Sequence, residues 1–233
     1  MATYVCSDIH GLSQKYYSLL DKIDCEHGDT LIILGDVIDR GPDGFEILMD
    51  ALKRENVHLL MGNHEYMMWE VLEINKGEIP NDISVLNWLL NGGATTIAAY
   101  NKASLEDQFF ICQSLRSLPY AFTDIVVNDR HFYLCHTAPG KAKDKKVLYW
   151  KDIKDPMNFV WERMDPNGPF LENKTIIAGH TIVLNYHPEL TVFSDTNDLK
   201  TANYIDIDCG CAMNDESSKL ACLCLDTMEV EYF

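Results

Sequence analysis

Directly after four aliphatic residues, Leu31 to Leu34, the chain places Asp36, Asp39 and Arg40 in one short stretch, GDVIDRG. Four other polar clusters share this design, each following an apolar run. SDIHG carries Asp8 and His10, GNHE carries Asn63, His64 and Glu65, FYLCH carries His136, and TIIAGH carries His180. Carboxylates, imidazoles and one amide carbonyl form a metal-binding donor set without thiolate. Asp8, His10, Asp36, Asn63, His136 and His180 are more ligands than one tetrahedral ion uses, and two ions can share a carboxylate. Two divalent ions about 3.5–4 Å apart are the clamp suited to phosphate ester hydrolysis. Against four positive charges, Asp8 and Asp36 supply only two negative ones, so such a site stays net positive and suits a phosphate dianion. Arg40 would add a planar, two-pronged donor for its oxygens. Taken singly, each cluster has a plainer reading: a capped loop at Asp8 and His10, a surface ion-pair turn at Asp36–Arg40, a turn residue at Asn63. Five coincidences would be needed for all of these at once.

For the clusters to meet, the apolar runs must be strands whose carboxyl ends share one crevice. TYVC, TLIILGD and VHLLMGNHE read as strands running into polar loops, separated by helical spacing at Leu12, Tyr16, Leu19, Leu20 and Ile23 and again at Phe45, Leu48, Met49 and Leu52. Strand–helix–strand–helix–strand is the pattern of a mainly parallel α/β sheet. Residues from about 64 to 118 read as helical, broken near Pro80 and at Asn91-Gly92-Gly93, with a helical insertion or cap at about 80–118. From Pro119 onward strand patterns dominate: AFTDIVV, HFYLCH, TIIAGH, NYIDIDCG, and a terminal hairpin of LACLCLD and MEVEYF. The whole of 1–233 is read as a single domain. KAKDKK at 141–146 reads as a solvated loop.

Composition narrows the class. Apolar residues are 47% and charged residues 24% of the chain, as in a globular protein with a sizeable core. A net charge of −17 argues against nucleic acid and anionic membranes as partners. No apolar run nears the roughly 18 residues of a membrane span, and no secretory signal is visible, so a cytoplasmic location is expected. The arginines are Arg40, Arg54, Arg116, Arg130 and Arg163, so a positive site would have to be built locally, most simply with metal ions. The C-x-C steps at Cys209/Cys211 and Cys222/Cys224 raise a four-thiolate zinc site, but buried packing thiols on one face of a strand explain them equally well.

Together SDIHG, GDVIDRG, GNHE, His136 and the GHT at 179–181 resemble the calcineurin-like metallophosphoesterases, in particular the bacterial phosphoprotein (serine/threonine) phosphatase branch; IDIDCGC near the end is similar too. The resemblance implies a β-sandwich of two mixed sheets flanked by helices. It assigns Asp8, His10 and Asp36 to a first metal, with Asp36 bridging to a second held by Asn63, His136 and His180. Arg40 would bind phosphate, with Arg163 of FVWERMD as the second phosphate-binding arginine. Asp39 would orient His64, which would protonate the leaving alkoxide. The implied cofactors are two divalent ions, manganese as in bacterial members, with iron or zinc also suited to these ligands. The implied reaction is hydrolysis of phosphoserine or phosphothreonine by a hydroxide held at the dinuclear centre, on a phosphoprotein or a small phosphoester. Symmetrical diadenosine tetraphosphate hydrolases share these motifs and are the alternative; Trp88, Tyr100, Phe109 and Phe110 could meet adenine but read mostly as helix core. A catalytically silent phosphate-binding scaffold would have eroded the acid pair, which is intact here. Ser7, where the family usually has glycine, and HTAPG after His136 depart from its pattern. Glu65 reads as a supporting or helix-start residue. Trp150 and Trp161 read as packing residues. His27, His58, His131 and His187 lie outside the motifs. Natural substrate, oligomeric state and regulator have no signature in the sequence.

Overall fold

The computed structural model describes residues 1–23, 28–80, 85–139, 146–213 and 215–233. Residues 141–145 of the basic stretch and His27 therefore lie outside the described residues, as does the side chain of Trp150. The first half alternates as its periodicity requires: β1 (Thr3–Cys6), α1 (Ser13–Lys22), β2 (Thr30–Ile33), α2 (Gly44–Lys53), β3 (Val57–Leu59) and α3 (Asn63–Ile74). Three further helices follow, α4 (Leu86–Leu90), α5 (Ala94–Lys102) and α6 (Leu105–Ser117). The second half is mainly strand: β4 (Pro119–Val127), β5 (Arg130–Cys135), β6 (Val147–Tyr149), a short α7 (Met157–Val160), β7 (Thr175–Ala178), β8 (Phe193–Ser194), β9 (Tyr204–Asp206), β10 (Ala221–Cys224) and β11 (Val230–Tyr232).

The strands form two mixed sheets, ordered β11-β10-β1-β2-β3 and β6-β4-β5-β7-β9-β8. In the first, β1, β2 and β3 run parallel while β10 joins β1 antiparallel. The expected terminal hairpin is present, Cys222 pairing with Glu231. In the second sheet β5, β7 and β9 run parallel. β4 and β5 meet antiparallel across Asn128 and Asp129, both at positive φ, as tight hairpin turns demand.

Alternation along each strand explains the layers. Val5, Ile32, Phe132, Leu134, Ile177, Ile205 and Leu223 form one buried cluster drawn from both sheets, the filling of a sandwich. Their neighbours Cys6, Leu31, Ile33, Tyr133 and Ile176 belong to a second cluster with Tyr16 and Leu19 of α1, Ile47 and Leu48 of α2 and Ile111 of α6. Central strands are thus apolar on both faces, which is why they read as unbroken aliphatic runs. Each such side chain contributes about 1.5–3 kcal/mol by leaving water.

Two expectations need correction. NYIDIDCG is strand only over Tyr204–Asp206. Beyond it the backbone N–H of Asp208 turns onto the Asp206 carboxylate (3.0 Å) and that of Gly210 onto the Asp208 carboxylate (3.0 Å), and these local bonds displace ladder pairing. The step from Cys209 to Cys211 is therefore not a strand step, and the two thiols enter different clusters. Among the described residues no group of potential metal donors includes a cysteine. No helix of the described residues is long and apolar enough to cross a membrane.

Candidate metal centre

The carboxyl ends of β1, β2, β3, β5 and β7 all open on one cleft. Asp8, His10, Asp36, Asn63 and His180 line a cavity of about 210 Å³, with Arg40, Asn91, Trp161 and Arg163 also on its wall. His136 lies fully buried beneath it. All ten residues singled out from the sequence are thereby brought together, Asp39 and His64 as a buried pair behind the cleft. Backbone strain concentrates here. Asp8, His10, Asp36, Asp39, Arg40 and His180 all have positive φ, between 48° and 69°, a conformation that L-residues adopt at a cost of order 1–3 kcal/mol each and that clusters at functional sites.

The loops are tied to one another rather than to solvent. Asp8 N–H donates to Gly35 O (3.1 Å), His10 N–H to Asp36 O (3.0 Å) and His64 N–H to Asp36 Oδ1 (3.0 Å). Glu65, fully buried, accepts from the N–H groups of Asp36 (2.7 Å), Val37 (2.9 Å) and Gly62 (3.1 Å), and so fixes the turn after β2. A Cβ on Gly35 would stand 2.6 Å from Gly62 Cα, so glycine there is what lets the ends of β2 and β3 approach. Ser7 donates to Asp8 Oδ2 (2.5 Å), so the departure from glycine adds a hydrogen bond to a candidate ligand. Thr137, the other departure, is buried beside His136 with no hydroxyl partner among the described residues.

Donor and acceptor roles test whether cations fit. His10 Nδ1 faces Ile38 O (3.0 Å) and His136 Nδ1 faces Leu34 O (3.0 Å); carbonyls only accept, so each Nδ1 carries a proton and Nε2 is the nitrogen left to bind a cation, its lone pair free in the neutral ring. His10 Nε2 looks at Asp36 Oδ2 (3.7 Å) and Asp8 Oδ1 (4.0 Å). His136 Nε2 looks at Asn63 Oδ1 (2.9 Å) and Asp36 Oδ2 (3.4 Å). His180 Nδ1 lies 2.9 Å from the same Asn63 Oδ1, and its Nε2 has no partner among the described residues. Imidazole nitrogens, the Asn63 amide oxygen and carboxylate oxygens converge around two centres that share Asp36. Donor atoms of His10, Asp36 and His64, and of Asp36, His136 and His180, lie within 4.8 Å of one another. The residues fit two cations.

The metal-free electrostatics carry the same strain. Burial pushes the Asp8 carboxyl up. Burial also acts upward on Asp36, but His136 and His64 outweigh it and hold that carboxyl well below its ordinary value. His180 is driven down to about 3 by burial and by His136. Burial pulls His136 down too, yet Asp36 and Asp8 overcome it and raise the ring to about 9.

Beside the centre, His64 Nδ1 donates to Asp39 Oδ2 (2.6 Å) and Arg40 Nη2 lies 3.2 Å from His64 Nε2. Burial lowers the basicity of His64, but Asp36 and Asp39 together leave it above the ordinary imidazole value. Arg40 and Arg163 are both exposed, and Arg163 Nη1 donates to Thr181 Oγ1 (2.9 Å). Trp161 is a cleft wall as well as a packing residue, its ring 6.2 Å from that of His180. His58 packs near Phe122, His131 pairs with Asp124 and His187 lies near Phe193, all outside the cleft lining. Two features of the site are missing from the sequence reading. Asp208 also lines the cleft, its carboxyl pushed well up by burial and by Asp8. It follows β9 as the other clusters follow their strands, so the same rule could have found it. Trp88 Nε1 donates to Asp39 Oδ2 (2.8 Å), a contact without any signal in the local sequence.

Residues 1–184 match the family described as calcineurin-like phosphoesterase. The chain is 40% identical over 73 residues to a symmetrical bis(5'-nucleosyl)-tetraphosphatase of Neisseria gonorrhoeae, a match spanning 30% of this chain and 26% of that relative. In fold it is similar to a putative diadenosine tetraphosphatase (TM-score 0.63, 15% identity, 99% of this chain and 92% of the other). It is equally similar to a serine/threonine phosphatase from Saccharomyces cerevisiae (TM-score 0.64, 15% identity, 100% and 79%).

Proposed function

The chain belongs to the calcineurin-like phosphoesterase family, and from that premise we propose that it is a hydrolase of phosphate esters or anhydrides working with two divalent cations. The observation that carries this reading is the convergence of imidazole nitrogens, Asn63 Oδ1 and two carboxylates on two centres sharing Asp36. Asp8, His10 and Asp36 would hold one ion, and Asp36, Asn63, His136 and His180 the other. Bound there, the ions would supply Lewis acidity to the phosphate and acidify water. Manganese, iron or zinc suits these donors.

The chain's own residues do the rest. Arg40 and Arg163 sit at the exposed mouth and would grip phosphate oxygens. His64 would hand its proton to the leaving oxygen, with Asp39 fixing the ring through Nδ1. Glu65 keeps the turn bearing Asp36 rigid, so that the acid and the donors keep their spacing.

Two substrate classes compete. Similarity to a symmetrical bis(5'-nucleosyl)-tetraphosphatase supports a dinucleoside tetraphosphate, although the match spans only about a quarter of that relative's length. A phosphorylated serine or threonine is supported by the acid pair itself. An alkoxide is a poor leaving group and needs a proton, whereas a departing nucleoside diphosphate is a good one. The small cleft, about 210 Å³ with exposed arginines, also admits a phosphate head without enclosing a nucleotide. The deciding experiment loads metal-stripped protein with manganese and compares kcat/KM on diadenosine tetraphosphate and on a phosphothreonine peptide. A large preference for either assigns the substrate class. No turnover of either, with both ions bound, would overturn the hydrolase reading.

A further inference from the structure

Helices α4 and α5, between which Gly92 and Gly93 form the turn, belong to the segment that reads from the sequence as a helical insertion or cap. The structure ties them to the catalytic loop. Arg40 N–H donates to Gly92 O (3.0 Å), Asp39 N–H to Thr96 Oγ1 (3.0 Å), and Thr95 Oγ1 to Gly41 O (2.9 Å). The fourth tie is a side chain meeting a side chain: Trp88 Nε1 donates to Asp39 Oδ2 at 2.8 Å. Trp88 is 1% exposed and Asp39 0%.

The carboxylate of Asp39 is held through one oxygen. His64 Nδ1–H and the Trp88 indole N–H both donate to Oδ2, while Oδ1 has no partner among the described residues. A carboxylate held only by the imidazole could turn about its Cβ–Cγ bond. A second, rigid donor on the same oxygen fixes the direction from which His64 is held. Indole is donor-only, so it cannot present an acceptor to this oxygen. The indole is itself boxed in: a Cβ on Gly93 would fall 2.5 Å from Trp88 Cδ1.

We propose that Trp88 is a positioning residue of the acid pair, orienting Asp39 so that His64 presents its proton to the leaving oxygen. The inference rests on the reading of His64 as the general acid. It assigns the 86–96 segment a role in the chemistry rather than in covering the substrate.

The test exploits leaving groups. A proton donor matters greatly for an alkoxide and little for p-nitrophenolate, whereas general damage to the fold or to metal binding slows both alike. In Trp88→Phe, loaded with manganese, kcat on a phosphothreonine peptide should fall about tenfold more than kcat on p-nitrophenyl phosphate, the size expected for one hydrogen bond to a charged group. KM should shift by less than about twofold, because no substrate contact is removed. His64→Asn, measured in parallel, should show the same selectivity more strongly. Gly93→Ala is the second variant. Its φ is −69°, so alanine is free of backbone strain, and its methyl displaces the indole while the tryptophan remains. It should reproduce the selective loss even where Trp88→Phe fails to fold. Selective loss in His64→Asn with equal losses on both substrates in the Trp88 and Gly93 variants would overturn the role of Trp88 alone. Absence of selectivity in His64→Asn would overturn the acid assignment, and the inference with it.

Discussion

The guanidinium of Arg40 and the ring of His64 share one lone pair: Nη2 lies 3.2 Å from Nε2, while Nδ1 is committed to Asp39. Arginine only donates, so this contact needs a bare Nε2. An acid needs Nε2–H. Arg40 must therefore leave His64 before the ring can give up a proton, and a bound phosphate provides a better partner for it. Arg40→Ala should raise KM and the inhibition constant of inorganic phosphate together, each about tenfold to a hundredfold, as one charge-assisted hydrogen bond predicts. A fall in kcat with both constants unmoved would remove Arg40 from phosphate binding.

Asn63 Oδ1 lies 2.9 Å from a nitrogen of each of two imidazoles, His136 and His180. A cation held by these three donors binds the folded chain and not the unfolded one, so metal should stabilise the folded protein. With metal at about a hundred times its dissociation constant, the gain is about 2.7 kcal/mol, or roughly 5–10 °C in Tm for a chain of this size. A chelator should reverse it. Asn63→Ala should shrink the shift, read by thermal unfolding with and without manganese. An unchanged shift would move the stabilising ion elsewhere.

The ligand loops were legible because one rule governs them all: a polar cluster after each apolar strand. Asp8, Asp36, Asn63, His136 and His180 obey it and meet in one cleft. Asp208 obeys it too, but the pattern NYIDIDCG runs strand past Asp206, where the strand ends, and so hides a loop carboxylate. Trp88 reads as helix core, and it is buried there, but its bond to Asp39 could not be read. Its partner Asp39 lies 49 positions away, and nothing in LNWLLNGG distinguishes a buried indole that packs from one that also donates. Mutual orientation of side chains across elements is set by packing, which a linear pattern does not carry.

His64 stands near two fates. Its Nε2 lies 3.9 Å from Asp36 Oδ2, within reach of the first group of donors, while its Nδ1 is held by Asp39 at 2.6 Å. As an acid rather than a ligand, His64→Asn should keep its full complement of bound metal while turnover of a phosphothreonine peptide falls about 10²–10⁴-fold. Elemental analysis of the variant alongside its rate separates the two. Loss of one ion would make His64 a ligand, and an unchanged rate would remove it from the mechanism.

Asp206 is fully buried at the end of β9, where the hydroxyls of Tyr186 and Tyr204 donate to one oxygen and the N–H of Asp208 to the other. Burial pushes its carboxyl up to about 8, against the downward pull of those three donors. Between the ordinary carboxyl range, near pH 4, and about pH 8, the unfolded chain is ionised here while the folded one keeps its proton. The folded state then binds more protons, so this group's contribution to stability is whole below about pH 4 and is lost as pH rises towards 8, at no more than about 1.4 kcal/mol per unit. Asn cannot titrate. Denaturant unfolding of metal-free wild type and Asp206→Asn at about pH 5 and about pH 8 should therefore show the wild type losing its relative advantage as pH rises. The slope carries the argument, because the level also includes whatever hydrogen bonds the amide fails to match. A difference between the two proteins that stays constant with pH would mean that the two tyrosines and the Asp208 N–H outweigh burial and hold Asp206 ionised throughout.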